Sequence, residues 1–145
     1  YDSKFMVASI DFVPISHEAI MMFKDGERGW LLGDYVEQFA TDHPLECIII
    51  DFMTTTLAPR NRRAQYAQYL LTKLSTTLVE MVDQGVEIAT IHACGGTPDG
   101  RHLLEKAQFT YLGEPRPGRH IYELDIIKSE SPLVQKYRDA LAKRR

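Results

Sequence analysis

The sequence predicts an α/β domain with a mixed open sheet, an antiparallel edge and helices on both faces. Three observations predict it. The run LECIIIDFMTTT, residues 45–56, is rich in isoleucine and threonine and nearly continuously apolar over 47–50, as in a strand buried on both faces. From Ala64 to Val82 the residues Ala64, Ala67, Leu70, Leu71, Leu74, Leu78, Met81 and Val82 recur at three- and four-residue intervals, which puts them on one face of a long helix. That helix leads into a second strand, VEIATIHAC, and two final strands flank the turn EPRPG. Strands joined by helices are parallel neighbours, and a hairpin adds an antiparallel edge.

In chain order, residues 4–14 (KFMVASIDFVP) alternate as a half-buried strand does. Ser16 suits a helix cap for a segment running to Phe23, while Ala19 to Phe23 would also serve as the return strand of a hairpin. Asp25-Gly26 marks a turn. Trp30, Leu31, Val36, Phe39 and Ala40 have the spacing of a helix that ends before His43-Pro44, because a residue preceding proline is pushed out of the helical region. After the long helix, Gly85 provides the left-handed residue that stops it. Thr97-Pro98-Asp99 is a helix start: a cap, a proline in the first helical position and an acid facing the positive end of the dipole, with the helix running to about Ala107. Strands follow at 109–113 and 120–127, and Ser131-Pro132 opens a terminal helix with Leu133, Tyr137 and Leu141 on one side.

At 145 residues the chain fits one domain, 1–145, with a sizeable core. It opens at Tyr1, which is compatible with a piece of a longer chain. No apolar run approaches the roughly 20 residues of a membrane helix, and no signal-peptide pattern opens the chain. Cys47 and Cys94 lie inside apolar strand-like runs and lack closely spaced partners, which suggests buried thiols in a reducing, cytoplasmic compartment, with a disulfide as the alternative. The histidines at 17, 43, 92, 102 and 120 never fall at ligand spacing, so no metal site is expected. The net charge of −3 hides an asymmetry: residues 1–58 hold 3 basic and 10 acidic side chains, and residues 59–145 hold 14 and 10.

Part of that positive charge is concentrated in LAPRNRRAQYAQYLL, residues 57–71, where Arg60, Arg62 and Arg63 stand at the start of the long helix. Basic side chains in a first turn oppose the helix dipole at about 0.3–1 kcal/mol each. A bound polyanion reverses that penalty, because the first N–H groups of a helix lack internal partners and attract phosphate. An exposed basic surface is the simpler alternative. The tail AKRR complements the last turn of its own helix. With no interleaving of aromatic and basic residues, nucleic acid is an unfavoured partner.

The same stretch carries a resemblance. Leu57, Pro59, Arg62, Ala67, Leu70 and Leu71 fall in register with an apolar residue, Pro, Arg-x-x-Gly-x-Gly/Ala and a Leu-Leu pair, while Thr97 to Phe109 parallels Asn-x-x-Ala-x-x-Leu-Tyr-Glu-Lys-x-Gly-Phe through Glu105, Lys106 and Phe109. These patterns and the order of elements from Leu45 to Ile127 resemble the acyl-CoA-binding core of the GNAT superfamily of N-acetyltransferases. Gln65 stands where that family has its first glycine, Leu104 where it has a tyrosine that can protonate the leaving thiolate, and Gln108 where it has a further glycine. The resemblance implies acetyl-CoA as co-substrate and a small-molecule or protein amine as acceptor. It also implies a pyrophosphate cradle on the backbone of Arg62, Arg63, Ala64, Gln65, Tyr66, Ala67 and Gln68, with Leu57 to Pro59 along the pantetheine arm.

Transfer to an amine requires a group that takes its proton. Asp51, inside IIIDFM, is one candidate, with an ion-paired strand carboxylate as its alternative; His92, near the end of its strand, is the other, with a satisfied sheet-face histidine as its alternative. No Ser-His-Asp or Cys-His nucleophile can be placed by spacing, and Gly95-Gly96 lacks the third glycine of a dinucleotide fingerprint. A GNAT-like domain without catalysis, serving as a ligand sensor or interaction module, is the rival expectation.

Overall fold

Ser16 decides between the two readings of the segment after the first strand. In a computed structural model that describes residues 8–26, 35–39, 42–54 and 60–144, the extended Ser16 accepts a hydrogen bond from the Ala19 N–H at 3.2 Å and caps helix α1, His17–Lys24. Glu18 in the first turn and Lys24 in the last suit the dipole, and Ala19, Ile20 and Phe23 form the buried face. The preceding strand, β1, is Ala8–Ile15.

The remaining elements are β2 (Leu45–Thr54), α2 (Arg60–Asp83), β3 (Ile88–Gly95), α3 (Pro98–Lys106), β4 (Thr110–Arg116), β5 (Arg119–Asp125) and α4 (Pro132–Arg144). The sheet order is β1-β2-β3-β5-β4. Strands β2 and β3 are parallel and every other neighbouring pair is antiparallel, so the sheet is mixed and open.

The local signals act as their chemistry requires. Thr97 accepts from the Gly100 N–H at 3.0 Å with Pro98 and Asp99 in the first turn of α3. Gly85 takes φ +82° as α2 ends, which lets the Gly85 and Val86 N–H groups reach back to the Val82 and Met81 carbonyls at 2.9 Å. Gln108 closes α3 at φ +65°, a left-handed conformation that glycine adopts at lower cost.

Helices cover both faces of the sheet. On one face α2, α3 and α4 share a core that includes Leu74, Leu78, Leu104, Val134 and Tyr137 over Cys47, Ile91, Tyr122 and Leu124. On the other, α1 packs Ala19, Ile20 and Phe23 over Ile15, Ile48 and Ile121. Helix α4 is tied down by polar contacts that sequence spacing does not reveal. The Tyr137 hydroxyl accepts from the Ile88 N–H at 2.7 Å, and the Ser131 hydroxyl donates to the Ala107 carbonyl at 2.6 Å.

Two expectations are corrected. Residues 36–39 are not helical: Val36 bridges Ile15, the Ser16 N–H donates to the Tyr35 carbonyl and the Glu37 N–H to the Pro14 carbonyl. The unpaired backbone at the end of β1 recruits this segment across the chain, so its own polar groups are not spent on a helix. Trp30, Leu31 and Ala40 lie outside the described residues. The basic tail does more than complement its own helix. Arg144 donates to the Val82 and Asp83 carbonyls at 2.7 and 3.1 Å, supplying a cation to the end of α2, whose last turn has none.

Candidate functional site

Strand β2 carries one extra residue halfway along. Phe12 of β1 opposes Ile49 while Asp11 opposes Asp51, so Ile50 is a bulge, a device that bends its strand and increases the local twist. On the other side of β2, parallel pairing with β3 runs from Leu45 and Ile88 to Ile48 and His92 and then stops. Yet β2 continues to Thr54 and β3 to Gly95. Both strands keep their outer partners to the end, Thr54 with Ala8 and Gly95 with His120. Among the described residues the two parallel strands therefore part at their carboxyl ends, leaving facing backbone edges that do not bond to each other.

The two ends of that notch are built differently. On the β2 side, α2 starts at Arg60 and has no acidic residue in its first turn. Arg62, Ala64, Gln65 and Gln68 are exposed, Tyr66 is half-buried and Ala67 is buried. Burial on α2 begins at Ala67 among the side chains described. Arg63 belongs to this turn by its backbone. Leu57 and Pro59 lie outside the described residues. On the β3 side, a Cβ at Gly95 would fall 2.5 Å from Arg101 Cγ, so glycine is what lets α3 descend so closely onto the end of its strand.

The two candidate bases are brought to this region and separated within it. Asp51 is placed by its backbone on β2 just past the bulge, opposite Asp11. His92 is the last β3 residue paired to β2, and it faces α1. Its side chain is 1% exposed, its Nε2–H donates to Glu123 Oε2 at 2.7 Å, and the Phe23 ring lies edge-on at 6.3 Å. Lys24 Nζ reaches the same Glu123 oxygen at 3.3 Å. His92 Nδ1 is buried with no partner. Burial lowers the imidazole below its ordinary value, opposed by its bond to Glu123, so the ring is held neutral with a free lone pair on Nδ1. Sequence spacing did not single out Glu123 or Lys24. The only signal was a carboxylate in the alternating strand HIYELD, and the strand register that pairs Glu123 with His92 is a tertiary fact.

No family model, curated protein or solved structure matches this chain.

Surface depressions also lie along the sheet. One of about 260 Å³ separates β1 from α2 and includes Asp11, Phe39 and Lys73; another of about 460 Å³ lies beside the end of β5 and includes Gln108, Glu123 and Asp125. Among the described residues no group of three or more His, Cys, Asp or Glu is placed to hold a metal, and no helix is long and apolar enough to cross a membrane.

The cysteines face opposite sides of the sheet, Cys47 toward α2 and Cys94 toward α1, and both are free thiols. Burial, reinforced by the charges of Glu37 and Glu46, pushes the Cys47 thiol up to about 12. A disulfide-exchange reagent is accordingly expected to titrate the half-buried Cys94 in native buffer and Cys47 only after unfolding. Equal native rates at the two thiols would contradict the burial of Cys47.

Proposed function

We propose that this chain is a GNAT-like domain that binds an acyl-CoA at the notch between β2 and β3 and transfers its acyl group to an amine. One observation carries the reading: two parallel strands part at their carboxyl ends directly before a helix whose first turn is arginine-rich and acid-free. Ligands of open α/β sheets collect at that end of the strands. An extended chain of amides pairs with free strand edges as an added strand does, and a pyrophosphate is stabilised by the first N–H groups of a helix. Gln108 supports the reading from a second place, since it adopts φ +65° where the resembled segment carries glycine.

The bound co-substrate supplies an acyl thioester. The first N–H groups of α2, from Arg62 to Gln68, hold its phosphates, and the arginine side chains add charge. Free N–H groups along the notch orient the acyl carbonyl and polarise it. His92 Nδ1, or Asp51 beyond the bulge, takes the proton of the attacking amine. A specific observation favours the second reading, a binding domain without turnover. Leu104 is packed in the core of α3 where the family's tyrosine would protonate the thiolate, and His92 is closed off beneath Phe23.

Calorimetric titration of the chain with acetyl-CoA tests the binding. Arg62→Ala is expected to weaken it two- to fivefold, corresponding to about 0.3–1 kcal/mol for one cation at this helix end. Absence of both heat and thermal shift at millimolar ligand would sink both readings. Release of free thiol with a panel of amines then separates transferase from sensor.

A further inference from the structure

The outer hairpin holds a constellation that residue spacing does not suggest. Tyr111 Oη lies 2.9 Å from His120 Nδ1, and His120 Nε2 lies 3.1 Å from Glu114 Oε2. The carboxylate beside Nε2 can only accept, so its nearness favours the tautomer with the proton on Nε2. Nδ1 is thereby left as the acceptor of the Tyr111 O–H. The Gly118 N–H, in the hairpin turn, donates to the same Glu114 oxygen at 3.0 Å and fixes the carboxylate. Phenol, imidazole and carboxylate thus stand in the order of a nucleophile, a base and the group that orients the base.

A bulge assembles them. Tyr111 pairs with Tyr122 and Gly113 with Ile121, so Leu112 is an extra residue in β4. In a regular strand residues three apart point to opposite faces, and Tyr111 and Glu114 would never meet one imidazole. The extra residue reverses the alternation, a second irregularity follows between Gly113 and Arg116, and Glu114 meets the same imidazole as Tyr111. The phenol is oriented by neighbouring rings, with His120 at 5.9 Å and 32° and Tyr122 at 5.1 Å and 52° between centroids and planes. Tyr111 is 48% exposed, whereas the His120 side chain is 20% exposed, so the base is shielded and the nucleophile is open to a reagent.

We propose that Tyr111 is a nucleophilic tyrosine, activated by His120 and Glu114, that accepts an acyl group from an activated acyl donor such as an ester, thioester or acylimidazole. Tyr111 Oη attacks the acyl carbon, the Oη–C bond forms and the bond from that carbon to its leaving group breaks. The phenol proton passes to His120 Nδ1 and then to the leaving group or solvent. Glu114 is a positioning residue that stabilises the transient imidazolium. Tyr111 and Glu114 stand on the edge strand β4 and His120 on its neighbour β5, where it pairs with Gly95 of β3; the chemistry does not require acyl-CoA at the notch.

The test is acetylation of the whole chain with N-acetylimidazole, followed by digestion and mass spectrometry. Tyr69 is the internal comparator: it is 59% exposed, more open than Tyr111, and lies beside Lys73 Nζ at 5.7 Å without an imidazole. Tyr111 is expected to react about tenfold faster than Tyr69 or more, well within what a positioned base supplies. His120→Gln and Glu114→Gln are each expected to bring Tyr111 down toward Tyr69, while an unchanged Tyr69 rate and circular dichroism report an intact fold. A ratio of Tyr111 to Tyr69 below about tenfold, or a Tyr111 rate untouched by His120→Gln, overturns the assignment.

Discussion

Glu123→Ala is expected to lower the folding stability by about 2–3 kcal/mol, because it leaves a buried donor on His92 with no partner beside a lysine charge. His92 Nε2 and Lys24 Nζ both converge on Glu123 Oε2, and the imidazole is buried with the Phe23 ring edge-on to it. Adding His92→Phe to the glutamate variant is expected to recover part of the loss, since the orphaned donor is then removed as well. Additive losses in that double-mutant cycle would show that the pair is not coupled. The same ring gives stability a pH dependence. Burial lowers His92 from its ordinary 6.5, so the unfolded chain binds this proton more readily than the folded one. Its contribution is therefore fully present above about pH 6.5 and is lost as pH falls toward the lowered folded value. Urea titrations of wild type and His92→Gln should diverge in slope against pH in that window and run parallel above it. Parallel curves throughout would mean that His92 is not the group responsible.

Leu78→Ala is expected to cost about 2–5 kcal/mol, the range for deleting a leucine from a packed core. Leu78 is 0% exposed and belongs to the buried cluster that joins α2 to the sheet and to α4. Tyr69→Ala, on the outer side of the same helix, is expected to stay within about 0.5 kcal/mol. Urea unfolding of both variants checks the contrast. A Leu78→Ala loss under about 1 kcal/mol would mean that α2 does not seat on the sheet in this way. The effect bears on the proposed site as well, because the packing of α2 positions its arginine-bearing first turn.

Much of the fold was legible where a signal acts over one helical turn. Ser16 and Thr97 mark caps, Gly85 a left-handed stop, and the leucines of α2 a single buried face; each concerns groups three or four residues apart. The segment around Val36 misled because its apolar spacing resembles a helix, while the decisive bond partners, Pro14 and Ser16, belong to β1. The candidate site was half legible. The arginines before the α2 core and the two candidate bases were visible as residue types, but nothing local announced that β2 would leave β3 after Ile48, or that His92 would find Glu123.

From residue 45 onward the sequence by itself determined the succession of strands and helices, the cap at Thr97, the stop at Gly85 and the apolar face of α2, because these follow from backbone preferences and side-chain spacing within a few residues. Only the tertiary structure decided which strands are neighbours and in what register, where Ile50 and Leu112 interrupt the pairing, and hence the notch, the His92–Glu123–Lys24 cluster and the Tyr111–His120–Glu114 relay. The physical reason is that a strand satisfies its hydrogen bonds on a remote partner. A one-residue slip in that partnership turns every later side chain to the other face of the sheet.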